Sequence, residues 1–188
     1  QKGNVAVLAL PRSPEQTMAL VCGARRVSYA ELGRGVHKVL ASLAARNLQK
    51  GNVAVLALPR SPEQTMVTLA CALRGVIWVP VDASAPEERR KFLCDNCKPD
   101  LVVGTQPIEG YDVVSAETLL QGEPSGDVFD FMPPLQELSS SPEAAYYLYT
   151  SGTTGKPKGV VLSNRSTDNV IGSTNAEWEI TSGDVFIS

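Results

Sequence analysis

Residues 52–82 read NVAVLALPRSPEQTMVTLACALRGVIWVPVD, and this stretch decides the fold class. Asn52–Leu58 is a short apolar run rich in β-formers and reads as a strand. Ser61-Pro62 then offers a side-chain cap and a proline for the first helical turn, where its missing N–H costs nothing. The helix predicted from there closes near Arg74-Gly75, with glycine free to take the left-handed cap. Val76–Val81 follows as a buried strand. Strand, helix and strand at this spacing call for two parallel strands joined by a crossover.

The pattern extends in both directions. Upstream, Ser28-Tyr29-Ala30-Glu31 matches a capping box, in which serine and glutamate satisfy each other's free backbone donors. Tyr29, Leu32, Val36, Val39, Leu40 and Leu43 recur at helical spacing, predicting a helix to about Arg46. Downstream, Ser84-x-x-Glu87 reads as a second capping box opening a helix over Glu87–Cys97. Asp100–Val103 and Asp112–Val114 are strand-like. Gly122–Ser141, rich in Pro, Gly and Ser, reads as a long surface loop. Ala145–Tyr149 and Val160–Leu162 are further strands, with a helix from about Thr167. The class is α/β: a parallel-rich sheet with flanking helices.

Composition narrows the function classes. At 188 residues the chain sits near the ~150 expected of one domain, and 43% hydrophobic residues suffice for a core. Seventeen basic against 20 acidic side chains give a net charge of −3, which argues against a nucleic-acid partner. Apolar runs such as Val53–Leu58 are strand-sized, so no membrane span is expected. No signal or transit peptide is recognisable, and the expected location is cytoplasmic. Cys22, Cys71, Cys94 and Cys97 do not form a disulfide framework. Cys94-x-x-Cys97 lacks two further zinc ligands and falls at the end of a predicted helix, so packing thiols are expected. His37, the sole histidine, lies in a helix-period segment and reads as structural.

The chain also repeats itself. Gln1–Met18, QKGNVAVLALPRSPEQTM, recurs letter for letter as Gln49–Met66. Evolved structural repeats keep their pattern while the letters drift. After Met66 the chain continues into a complete helix, whereas after Met18 it turns to strand, turn, strand and helix start. Residues 1–18 are therefore expected to be an extraneous or artefactual copy, and no function is assigned to them.

The chemistry concentrates in YLYTSGTTGKPKGV, residues 147–160. Ser151–Gly155 sets three hydroxyls between and beside two glycines, and Lys156, Lys158 and Gly159 follow. Glycines let backbone amides approach an anion, successive N–H groups form a cationic nest, and lysine offsets phosphate charge. The segment reads as a phosphate loop; a flexible surface hairpin is the plain alternative by composition. It is not a Walker A loop, because only two residues separate Gly152 from Gly155 and Pro157 follows the lysine. It also joins strand to strand rather than strand to helix.

This segment resembles the signature of the adenylate-forming superfamily, which includes acyl-CoA synthetases, beetle luciferases and nonribosomal peptide synthetase adenylation domains. VSYAEL (Val27–Leu32) and ALRGVIWVPVDASAPEERRKFLCDN (Ala72–Asn96) resemble the first and second boxes of peptide-synthetase adenylation domains. The resemblance runs from about residue 19 onward. Val79-Pro80-Val81-Asp82 is most similar to amino-acid-activating members, with acyl-CoA synthetases as the alternative. Asn164 departs from the histidine that many relatives carry there.

The resemblance implies an ATP-dependent ligase. A carboxylate, expected to be an amino acid, attacks the α-phosphorus of Mg-ATP and releases pyrophosphate. The phosphopantetheine thiol of a peptidyl carrier domain then takes the acyl group. By the same resemblance Thr150, Ser151, Gly152, Thr153, Thr154 and Gly155 cradle the phosphates, Lys158 neutralises charge, and Lys156 is the more exposed lysine. No protein metal ligands are assigned; Mg2+ comes with ATP. Residues 19–188 correspond to the N-terminal portion of an adenylation domain, with the substrate box, hinge and C-terminal catalytic lysine expected beyond, no second sheet to close the nucleotide cleft, and the portion alone inactive. A short, non-catalytic relative that binds nucleotide or a partner is the alternative of another class.

Overall fold

The computed structural model describes residues 5–8, 18–124, 143–150, 157–181 and 184–187. The strands are β1 (Val5–Leu8), β2 (Met18–Cys22), β3 (Arg25–Ser28), β4 (Val53–Ala57), β5 (Ile77–Pro80), β6 (Leu101–Gly104), β7 (Val113–Val114), β8 (Ala144–Thr150), β9 (Lys158–Ser163) and β10 (Val185–Ile187). The helices are α1 (Tyr29–Ala45), α2 (Pro62–Arg74), α3 (Glu87–Cys97), the single turn α4 (Ala116–Leu119) and α5 (Asn164–Glu177).

The larger sheet has the order β7-β6-β4-β5-β8-β9. All neighbours are parallel except β8 and β9, which pair antiparallel. The expected parallel-rich α/β sheet is therefore present, centred on β4. Alternate residues of β4 feed opposite faces: Ala54 and Leu56 join Val39, Leu40 and Leu43 of α1 and Val67 and Ala70 of α2. Val55 and Ala57 join Leu93 and Cys94 of α3 on the other face. Burial on both faces explains why the strand reads as a continuous apolar run. α2 and α3 thus lie on opposite sides of the sheet, a doubly wound arrangement.

Local signals placed most of the elements. Ser28 Oγ accepts from the Glu31 backbone N–H while the Glu31 carboxylate accepts from the Ser28 N–H, so the first capping box forms. Those bonds hold the Glu31 carboxyl below its ordinary range. Ser61 caps α2 by accepting from the Gln64 N–H, and Gly75 closes it at φ 74°. The second expected capping box does not form: α3 starts after Pro86 without a side-chain cap. Ser84 instead donates its hydroxyl and its backbone N–H to Asp82 Oδ1, at 2.7 and 2.9 Å. α5 begins at Asn164, earlier than expected, because Ser163 caps it reciprocally with Ser166.

Contrary to expectation there is a second sheet, antiparallel, with the order β10-β1-β2-β3. Ala19 and Leu20 of β2 and Val27 of β3 pack into the same core as α1. The two copies of the repeat meet different fates. Met18 starts strand β2, whereas Met66 lies buried within helix α2. Among the described residues no helix is long and apolar enough to cross a membrane. Most of the expected Gly122–Ser141 loop falls outside the described residues.

Candidate nucleotide-phosphate site

Because β4, β5 and β8 run parallel, Leu58, Val81 and Thr150 all emerge at one edge of the larger sheet, the carboxyl edge. Open α/β sheets bind their ligands along that edge. The hairpin formed by β8 and β9 turns there. Its register sets Leu148 opposite Val160, Tyr149 opposite Gly159 and Thr150 opposite Lys158. Two of the expected phosphate residues, Thr150 and Lys158, are thereby brought together as a cross-strand pair at the mouth of the turn, both exposed. Ser151, Gly152, Thr153, Thr154, Gly155 and Lys156 lie outside the described residues. The strand-to-strand connection expected from the sequence is present, which sets this turn apart from a Walker A loop.

The base of the hairpin is held by tyrosines on the α3 side. Tyr147 and Tyr149 pack against the cluster containing Val79, Val81 and Leu93. Tyr149 Oη donates to Asn96 Oδ1 at 2.6 Å, and Tyr111 Oη donates to Asp95 Oδ1 at 2.9 Å. Burial, with Cys97 and Tyr147 nearby, pushes the Tyr149 hydroxyl up to about 12, so it stays a protonated donor. On the opposite face Tyr146 stacks on Trp78, with ring centroids 4.4 Å apart.

The cysteines do not add a second chemistry. Burial pushes the Cys94 thiol up to about 11 and the Cys97 and Cys71 thiols up to about 12, the reverse of an activated nucleophile. Among the described residues no three His, Cys, Asp or Glu side chains gather as a metal cage. Asn164, the departure from the signature, is the first residue of α5, and its backbone N–H donates to the Glu143 carbonyl at 3.1 Å. It sits at the far end of β9 from Lys158, roughly 20 Å along the strand at the usual rise per residue.

The profile of the AMP-binding enzymes matches residues 7–188, nearly the whole chain. The chain belongs to the AMP-binding enzyme family. Within that family it is 34% identical over 177 residues to tyrocidine synthase 3 of Brevibacillus parabrevis, covering 92% of this chain and 3% of that protein. Tyrocidine synthase 2 of the same organism is 32% identical over 160 residues, covering 85% and 4%. This chain therefore spans only a few per cent of the length of these peptide synthetases. Among solved structures, the Klebsiella oxytoca NpsA N-terminal subdomain in complex with 3-hydroxybenzoyl-AMSN superposes with a TM-score of 0.64 at 28% identity, covering 76% of this chain and 36% of that one. McyG A-PCP complexed with phenylalanyl-adenylate gives 0.71 at 21% identity over 84% of this chain and 27% of that one, a likeness of fold.

Asn96 is the residue of the site that sequence reasoning passed over. It lies 53 positions from Tyr149, and no periodicity or spacing links the two.

Proposed function

We propose that this chain is part of an AMP-binding enzyme that activates an amino acid as its acyl-adenylate with release of pyrophosphate, and passes the acyl group to the phosphopantetheine thiol of a carrier domain. The observation that carries this reading is the YTSGTTGKPKG hairpin at the carboxyl edge of the sheet, with Thr150 and Lys158 paired at its mouth. Similarity to the tyrocidine synthases supports the amino-acid substrate and the carrier partner.

The chemistry asks little covalent work of the protein. The substrate carboxylate oxygen bonds to the α-phosphorus of Mg-ATP while the bond to the bridging oxygen of pyrophosphate breaks. Charge grows on that oxygen and on the departing phosphates, so fixed donors and cations lower the barrier. In this reading the backbone and hydroxyls of Thr150, Ser151, Gly152, Thr153, Thr154 and Gly155 hold the β- and γ-phosphates in line for departure. Lys158 supplies the offsetting charge. The thiol sulfur then attacks the acyl carbonyl and AMP leaves.

The test is amino-acid-dependent ATP–pyrophosphate exchange by the complete enzyme. Thr153→Ala and Lys158→Ala are each expected to cut exchange by more than about tenfold, the loss typical of a phosphate or oxyanion contact. Near-normal exchange would remove that residue from the site. Exchange dependent on a non-amino carboxylic acid, with transfer to free coenzyme A, would move the enzyme to the acyl-CoA synthetase type. ATP binding without any exchange would make it a non-catalytic nucleotide binder.

We also propose that residues 19–188 form the N-terminal portion of the adenylation domain and that residues 1–18 are an extraneous copy. Intact mass with mapping of the N-terminal peptide tests this. A natural chain lacking the first copy would support it, and a natural chain carrying both would refute it.

A further inference from the structure

Side chains as well as the sheet ladder hold the end of the phosphate hairpin. Among the described residues β9 is an edge strand of the larger sheet, with Val160 and Val161 exposed. β8 meets β5 at a single register pair, Trp78 with Tyr146, four residues before its C-terminal end at Thr150. Beyond that pair the register partners of β8 all lie on β9, while Tyr147 and Tyr149 pack beside Val79 and Val81 next to β5. Toward the turn the hairpin is therefore tied by side-chain contacts more than by register pairs to β5.

Tyr149 is placed to be that tie. Its ring lies over Gly159 on the partner strand: a Cβ added at Gly159 would come within 3.2 Å of Tyr149 Cε1 and 3.3 Å of Cζ. The bare glycine leaves room for the ring to lie flat across the ribbon. Beyond the ring, the hydroxyl donates to Asn96 Oδ1 at 2.6 Å. Asn96 lies in the last turn of α3, a helix packed onto the sheet through Leu93 and Cys94. That turn is closed by Lys98 in the left-handed conformation, φ 47°, whose N–H donates to the Cys94 carbonyl at 2.8 Å.

From this chain of contacts we infer that Asn96 and Tyr149 are positioning residues, which fix the angle at which the hairpin presents Thr150 and Lys158 to the ATP phosphates. Neither touches the nucleotide. Asn96 acts through the tyrosine hydroxyl, and Tyr149 acts through the strand that carries Thr150 as its next residue. The inference rests on the adenylating function proposed above. Loss of the tie leaves Thr150 and Lys158 present but less well held, and it weakens ATP use before it touches the carboxylate substrate.

The experiment is pyrophosphate exchange by the complete enzyme, with KM for ATP and for the amino acid measured separately. Tyr149→Phe and Asn96→Ala are each expected to raise KM for ATP about three- to tenfold, the range of one lost hydrogen bond, with KM for the amino acid unchanged. The double variant should be no worse than Tyr149→Phe alone, because that change already removes the bond to Asn96. Asn96→Asp keeps the acceptor and should restore most of the ATP affinity. Thermal melting of each variant, expected to fall by no more than about 6 °C for the loss of one hydrogen bond, separates positioning from unfolding. Unchanged KM for ATP in both single variants, or equal weakening for both substrates, overturns the inference while leaving the function standing. Absence of exchange in the unsubstituted enzyme with every amino acid and ATP overturns the function, and this inference with it.

Discussion

Truncating Leu56 to alanine is expected to lower the melting temperature by roughly 6–12 °C, as a loss of about 3 kcal/mol at ~2–4 °C per kcal/mol for a chain of this size. Leu56 is 1% exposed and occupies the central strand, with Pro80 and Val103 as its register partners on either side. It packs among α1 and α2 side chains that are held by their own caps and cannot easily follow the missing atoms inward. The lost transfer energy and the residual cavity therefore add. A shift below about 2 °C would mean that this strand is not the centre of the core. If residues 1–18 are the extra copy proposed above, the same truncation at the matching Leu8 costs less than half as much. Equal shifts would make both copies structural.

The second large effect is expected at Gly122. A Cβ there would lie 2.6 Å from Ser42 Oγ, closer still to the Lys38 carbonyl oxygen, and 3.2 Å from the Lys38 carbonyl carbon. Two of these atoms are helix backbone, which cannot turn aside as a flexible side-chain end would. Gly122→Ala must therefore push the segment after α4 away from α1. Ser42 Oγ donates to the Leu119 carbonyl at 2.7 Å in a buried setting, and that bond would stretch or break. Leu119, fully buried, and Ala116 would lose cover. The combined cost is about 2–3 kcal/mol, a melting shift of roughly 4–12 °C. Ser42→Ala, which removes only the hydrogen bond, is expected to cost about 1 kcal/mol. A Gly122→Ala variant that melts with the parent would show that this contact is absent in solution.

Much of the larger sheet could be read from the sequence because its signals are local. The apolar run at Asn52–Leu58, the Ser61-Pro62 start and the Gly75 stop each act within a few residues, and each produces the element expected. The Ser84-x-x-Glu87 box failed for an equally local reason: Asp82, two residues earlier, competes for the Ser84 hydroxyl and N–H and wins. α4 was missed because four residues hold no periodicity. The antiparallel sheet was half legible. Its strands β2 and β3 could be read as strand, turn and strand, but the pairing of β1 with β10 joins residues almost a chain length apart.

The candidate site divides in the same way. The glycines, hydroxyls and lysines of the turn identify themselves, because phosphate chemistry requires those residue types in one short stretch. The pairing of Thr150 with Lys158 follows from the hairpin. The hydrogen bond between Asn96 and Tyr149 does not follow from any pattern, because tertiary packing alone brings the end of α3 to the end of β8.

The doubled segment has a consequence for any label placed on the backbone. Cleavage after Lys2 and Arg12, or after Lys50 and Arg60, releases GNVAVLALPR in both cases, two fragments of one mass and one composition. One contains β1, from the antiparallel sheet, and the other contains β4, from the middle of the parallel sheet. Deuterium carried by that peptide is a sum over two addresses, and unequal protection would split its isotope envelope in two. Only fragments that cross the ends of the repeat, Met18-Ala19 against Met66-Val67, carry a return address.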